Sequence, residues 1–174
     1  MMIDPTPEHE SSKLLIERLN KLESAQGVRQ TIARYMQLCD VPAPFGTSLA
    51  LQALFTDDAI WEGVGSKYAQ KFGRLVGSTS IAAMLASYLP PSPHFVFNAH
   101  FLTSEDIKSD VVSANGQWLM QQVSSYEDGR SELIVARLNI DFALVDDHWK
   151  ISHFRTERLA EFPLGASVPT AEKN

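Results

Sequence analysis

The second half of the chain carries the strongest constraint. Between residues 94 and 158 lie four strand-length stretches, His94–Glu105, Asp110–Val123, Glu132–Val145 and Trp149–Arg158, separated only by short polar turns. The turns contain Asp106–Ser109, Glu127-Asp128-Gly129 and Asp146-Asp147-His148. A parallel return needs a crossover of about a dozen residues, so strands joined this tightly must run antiparallel. The result is a four-strand meander whose apolar face needs a covering layer.

The first half supplies that layer. Leu15, Leu19 and Leu22 recur at helical spacing, and a second stripe follows with Val28, Ile32, Tyr35 and Cys39. Gly27 lies between them and either separates two helices or merely weakens one long helix. VPAPFG at 41–46 stops the helix, because proline cannot continue it. Residues 47–55 read as a short helix capped by Thr47 or Ser48. AIWEGV at 59–64 and KFGRLVG at 71–77 read as two short strands joined by a loop, and Ser78–Leu89 as a helix closed by Pro90 and Pro91. The expected class is α+β: a curved antiparallel sheet wrapped around N-terminal helices, with a cone-shaped pocket between the layers. Residues 1–20 read as a helical extension, 21–162 as one domain and 163–174 as a loose tail.

Composition narrows the function classes. With 174 residues, 44% of them hydrophobic, a single core is expected. A net charge of −6 and the lack of any basic run argue against nucleic acid or an anionic membrane as partner. No stretch approaches the roughly 18 apolar residues that cross a bilayer. The acidic opening MMIDPTPEHE does not read as a secretory signal, so a cytoplasmic location is expected. Cys39 is the only cysteine, which excludes an internal disulfide and a cysteine-rich metal site. There is no HExxH, GxGxxG or GxxxxGK[ST], so no metal or nucleotide cofactor is expected.

Five segments taken together, IARYMQLCD, LQALFTDDAIWEG, GRLVGSTSI, HFVFN and HWKISHFR, resemble the SnoaL-like branch of the nuclear transport factor 2-like superfamily, over about residues 24–158. The resemblance implies a cystatin-like, cone-shaped α+β barrel. It also implies site residues, because the bile-acid and scytalone dehydratases of this group use a tyrosine and an aspartate on the first core helix and a histidine on the first long strand. Tyr35, Asp40 and His94 match those positions, and Arg155 matches an arginine near the end of the last strand. The chain departs from the pattern where a second aspartate is usual, in VPAPFGTSLA, and where Gln117 and Trp118 replace a carboxylate.

The residues themselves support several roles. Tyr35 lies on the apolar stripe and is either a core tyrosine or a donor to a substrate oxygen. Asp40 sits at a helix C-terminus, unfavourable against the helix dipole, and either forms an Asx-type turn or orients His94 as a base. Alternation along the last strand groups His153 and Arg155 with Trp149 and Ile151, which predicts that both approach the pocket. Arg155 would then stabilise a developing anion, or pair with Glu157 or Asp141. Trp61, Asn98, Trp118 and His153 are expected to line the pocket, and Cys39 to be buried and inert. The leading expectation is a cofactor-independent dehydratase, isomerase or cyclase acting on a hydrophobic, ring-containing carbonyl compound. The alternative is a non-catalytic binder or oligomeric accessory subunit of the same fold, like a dioxygenase small subunit. A homodimer or homotrimer packed through the outer sheet face is expected in either case.

Overall fold

The computed structural model describes residues 7–42, 47–91 and 94–165. The C-terminal tail from residue 166 and the loop between residues 42 and 47 lie outside the described residues. A single long helix, α1 (Pro7–Cys39), opens the chain, so Gly27 interrupts nothing. From Glu10 through Glu23 it is exposed, including Leu15, Leu19 and Leu22. From Ser24 onward a face carrying Val28, Ile32, Tyr35 and Met36 is buried against the sheet. Gly27 is there for close approach. A Cβ at this position would stand 2.3 Å from Cδ1 of the Trp149 indole. Thr31 Oγ1 donates to the Trp149 carbonyl at 2.8 Å and fixes the same crossing.

Gly27→Ala is therefore expected to destabilise the fold, although alanine is the better helix former by about 1 kcal/mol. Displacing a packed indole costs on the order of 1–3 kcal/mol. Urea unfolding monitored by tryptophan fluorescence measures the difference, and an unchanged or raised midpoint would refute the packing role.

The remaining elements are α2 (Thr47–Ala53), β1 (Phe55–Val64), α3 (Gly65–Phe72), β2 (Arg74–Val76), α4 (Ser78–Ala86), β3 (Phe97–Ser109), β4 (Ser113–Ser125), β5 (Ser131–Val145) and β6 (His148–Pro163). They form one six-stranded sheet in the order β2-β1-β6-β5-β4-β3. The pairings are antiparallel except β1 with β6, which is parallel. The meander is thus as expected, and β1 extends it from the far edge. The loop expected after residue 64 is instead α3, which leaves only three residues of β2. Gly65, at φ 71°, turns the chain into this helix, and the buried Tyr68 anchors it. The first meander turn also lies later than expected. β3 runs on to Ser109 through an irregularity between Thr103 and Asp106, where Ser104 has φ 54°, and the turn comes at 110–112. The β5–β6 turn has Asp146 and Asp147 both left-handed, which suits the strand twist of a two-residue hairpin.

β-Bulges matter most for the site. Between the pairs Phe142–Ile151 and Asp141–His153, Ser152 has no partner on β5. The extra residue reverses the alternation, so Ile151 and then Phe154 and Thr156 are buried while His153 and Arg155 turn to the outer face. This corrects the expectation that His153 and Arg155 approach the pocket. Simple alternation holds only in an unbroken strand.

Candidate active site

A cavity of about 140 Å³ lies between the helices and the concave face of the sheet. Its helical wall carries Tyr35, Cys39, Tyr68, Phe72, Met84 and Leu85. Its sheet wall carries Trp61, Asn98, His100, Met120, Gln122, Ile134, Leu138, Phe154 and Thr156. Trp61 stacks on Phe154, and Tyr35 packs against Phe55 and Phe154. These contacts make the floor rigid and apolar, with polar groups at a few points.

The local chain path explains the principal polar group. Just past α1, Val41 pairs with Asn98 in a short antiparallel bridge, with Val41 N–H donating to the Asn98 carbonyl at 2.8 Å. That bridge sets Asp40 opposite His100. Asp40 Oδ1 accepts from the His100 backbone N–H at 3.0 Å and from its ring Nδ1 at 2.8 Å. A carboxylate only accepts, so Nδ1 carries a proton, and in the neutral ring Nε2 then keeps its lone pair. The imidazole lines the cavity with its side chain one-tenth exposed. Asn98 secures the arrangement. It is 2% exposed, donates to the Cys39 carbonyl at 3.2 Å, and accepts from Gln122 Nε2 and Ser124 Oγ at 2.8 Å each.

His94 is elsewhere. It precedes β3, is exposed, and packs edge-on against Tyr88, Phe95 and Tyr126. The expected His94–Asp40 hydrogen bond is replaced by His100–Asp40. The alternation pattern held the signal, because His100 shares strand parity with Asn98, two residues before it. What sequence could not show was which histidine the Val41–Asn98 bridge brings to Asp40.

Tyr35 is buried, and its hydroxyl oxygen accepts from Trp61 Nε1 at 3.2 Å. Burial, reinforced by the Cys39 thiol beside it, holds its pKa well above the ordinary phenol value, so it keeps its proton and can donate it in a hydrogen bond. Desolvation likewise pushes the Cys39 thiol up to about 12, and the side chain, expected to be buried, is half-buried in the cavity wall.

Trp61 and Asn98 line the cavity as expected. Trp118 does not. It is buried, packs over Gly116 and against Phe142, and donates to Glu105 Oε2 at 3.4 Å. Arg155 and His153 join an outer-face network instead. His153 Nε2 meets Glu62 Oε1 at 2.6 Å, Arg155 Nη2 meets His153 Nδ1 at 2.6 Å, and Arg155 Nη1 donates to Asp141 at 2.8 Å. Glu62 also lies 3.8 Å from Arg155 Nε, which makes it a carboxylate partner of both side chains. Sequence reading also missed Gln122, Tyr126, Glu132 and Arg158, which reach the cavity from β4, the β4–β5 turn, β5 and β6. Among the described residues, no three or more His, Cys, Asp or Glu converge in metal-binding geometry, and no helix is long and apolar enough to cross a membrane.

A bent sheet closed by helices around an apolar cavity is the nuclear transport factor 2-like, cystatin-like architecture, and in this chain the cavity wall carries a histidine–carboxylate pair. The model of the SnoaL-like domain matches residues 20–155, and the chain belongs to that family. Among solved structures, it is similar to a hexachlorocyclohexane dehydrochlorinase of type 2, at 19% identity and a TM-score of 0.72, over 88% of this chain and 99% of that one. A scytalone-dehydratase-like protein from Novosphingobium aromaticivorans shares 15% identity over 88% and 97% of the two chains, with a TM-score of 0.67. A nuclear transport factor 2-like protein with a cystatin-like fold from the same organism shares 20% identity over 88% and 90%, with a TM-score of 0.63. Compared by sequence, no curated protein matches the chain.

Proposed function

We propose that the chain is a cofactor-independent lyase or isomerase that removes a proton from a hydrophobic, ring-containing carbonyl compound. The Asp40–His100 pair in the wall of an apolar cavity is the observation that carries this reading. His100 Nε2 takes a proton from the carbon alpha to the carbonyl. The C–H electron pair forms the new double bond as the leaving group departs, or moves onto the carbonyl oxygen as an enolate. Asp40 orients the imidazole and stabilises its protonated form. Tyr35 O–H donates to the departing or developing oxygen. The solved relatives fit this class, since one is a dehydrochlorinase and another is dehydratase-like. The test is a panel of cyclic β-hydroxy ketones and cyclic enones in D2O, read by mass spectrometry for loss of water and by NMR for deuterium at the alpha carbon. Ligands that bind without exchange or elimination would leave a non-catalytic binding protein as the function.

We also propose a homodimer or homotrimer. The outer-face network of Glu62, His153, Arg155 and Asp141 and the exposed Leu15, Leu19 and Leu22 of α1 offer surface for it. Light scattering at micromolar concentration is expected to give two or three chain masses. A monomer would refute this.

A further inference from the structure

The far side of the cavity from His100 holds charge that the proposed chemistry does not use. Three lining residues are formally charged, Lys71, Glu132 and Arg158. Glu132 is already engaged, since it accepts from the Tyr126 hydroxyl and has Arg130 Nη1 at 4.0 Å. Lys71 lies over the Phe72 ring, with its ammonium 5.0 Å from the centroid. Arg158 is placed inward by the Ser152 bulge, and its guanidinium rests 5.3 Å from the centre of the Tyr68 ring. Its Nη1 donates to Glu161 at 2.6 Å. Its Nε is buried and, among the described residues, has no hydrogen-bond partner. Nε and Nη2 form the guanidinium edge that grips a carboxylate at two points.

We propose that Arg158 anchors a carboxylate on the molecule that occupies the cavity, so that the protein selects ring compounds bearing an acid group. The inference rests on the reading of this cavity as the substrate site, and it adds the substrate class. A buried N–H is expensive to leave without an acceptor, and an acidic ligand supplies that acceptor. Glu161 does not remove the need. It is exposed, outside the cavity lining, and pairs with Nη1 rather than Nε. The sheet register also gives a length. His100 pairs with Gln122 and Gln122 with Ile134, while Arg158 pairs with Ala136, two residues along from Ile134. Three strand spacings and the two-residue offset along the strand, together roughly 16 Å at backbone level, separate the two positions. Both reach inward on the concave face, which leaves room for one or two rings between the acid group and the reacting carbon.

The test uses calorimetric titration of the full chain with neutral and acidic partners of the same shape: 2-naphthoate against 2-naphthamide, and cyclohexanecarboxylate against its amide. Wild type is expected to bind the acids at least tenfold more tightly than the amides. Arg158→Gln should erase that preference while amide affinity stays within about twofold. Glu161→Gln should leave the preference in place. If Arg158→Gln does not fold, Arg158→Lys carries the comparison, keeping the charge but losing the two-point edge, and should cut the preference severalfold. The wild-type ratio needs no variant. Equal binding of acid and amide would overturn the acid anchor while leaving the cavity as a ligand site. No binding of either pair at millimolar concentration would overturn both. A preference that survives Arg158→Gln would place the anchor elsewhere.

Discussion

His100→Ala is expected to lower kcat/KM by a factor on the order of 10²–10⁴ for any substrate the protein turns over, which is the usual contribution of a positioned general base. Stability should change little, because the imidazole faces a cavity and its main partner, Asp40, keeps the bond from the backbone N–H of residue 100. Asp40→Asn separates orientation from packing. The amide can still meet the imidazole, but it no longer forces the proton onto Nδ1 or stabilises the protonated ring, so a large loss in kcat with a smaller change in KM is expected. His94→Ala provides the contrast. That ring packs on Tyr88, Phe95 and Tyr126 outside the cavity lining, and its loss should leave turnover within a fewfold of wild type. If His94→Ala is the silencing variant and His100→Ala the mild one, the proposed base is wrong.

Asn98→Ala is expected to be the most destabilising polar substitution near the site. Asn98 is almost fully buried, and its side chain serves the Cys39 carbonyl, Gln122 and Ser124 at once. Truncation leaves the buried Ser124 hydroxyl and the half-buried Cys39 carbonyl and Gln122 amide each short of a partner, an orphaned buried group costing about 1–3 kcal/mol, partly relieved because Gln122 still donates to Ser124. A loss of about 2–4 kcal/mol is therefore expected in chemical denaturation. Activity should fall further than stability alone explains, because the Val41–Asn98 bridge sets the position of Asp40. Asn98→Asp offers a sharper check. Its second oxygen would face the Cys39 carbonyl in place of an N–H, so the charged form is disfavoured and its pKa must rise on folding. The sign follows from linkage: a raised folded-state pKa means that this variant is most stable below the ordinary aspartate value of about 3.9 and loses that stability as pH rises from there through the folded-state value. A variant as stable as wild type at neutral pH would show that the polar cluster is incidental.

The architecture was legible before any coordinates because it depends on local rules. Turns too short for a crossover forced the meander, and apolar spacing over Val28, Ile32 and Tyr35 marked the face of α1 that is buried. Motif order brought the family into view, and the same local pattern placed Tyr35, Asp40, Trp61 and Asn98 near one cavity. Asp40 adjoins the lining through His100. What failed were statements that needed register. One unpaired residue, Ser152, reversed the faces of β6, moved His153 and Arg155 outward and brought Arg158 in, and alternation alone contains no sign of it. The choice of His100 over His94 was likewise made by the pairing of Val41 with Asn98, a contact across 56 intervening positions that no local spacing encodes. Local sequence determines which elements form and which face of each is apolar, since those energies arise within a few residues. Only the closed tertiary structure decides which side chains meet, because bulges and strand bridges are selected by the packing of the whole sheet against its helices.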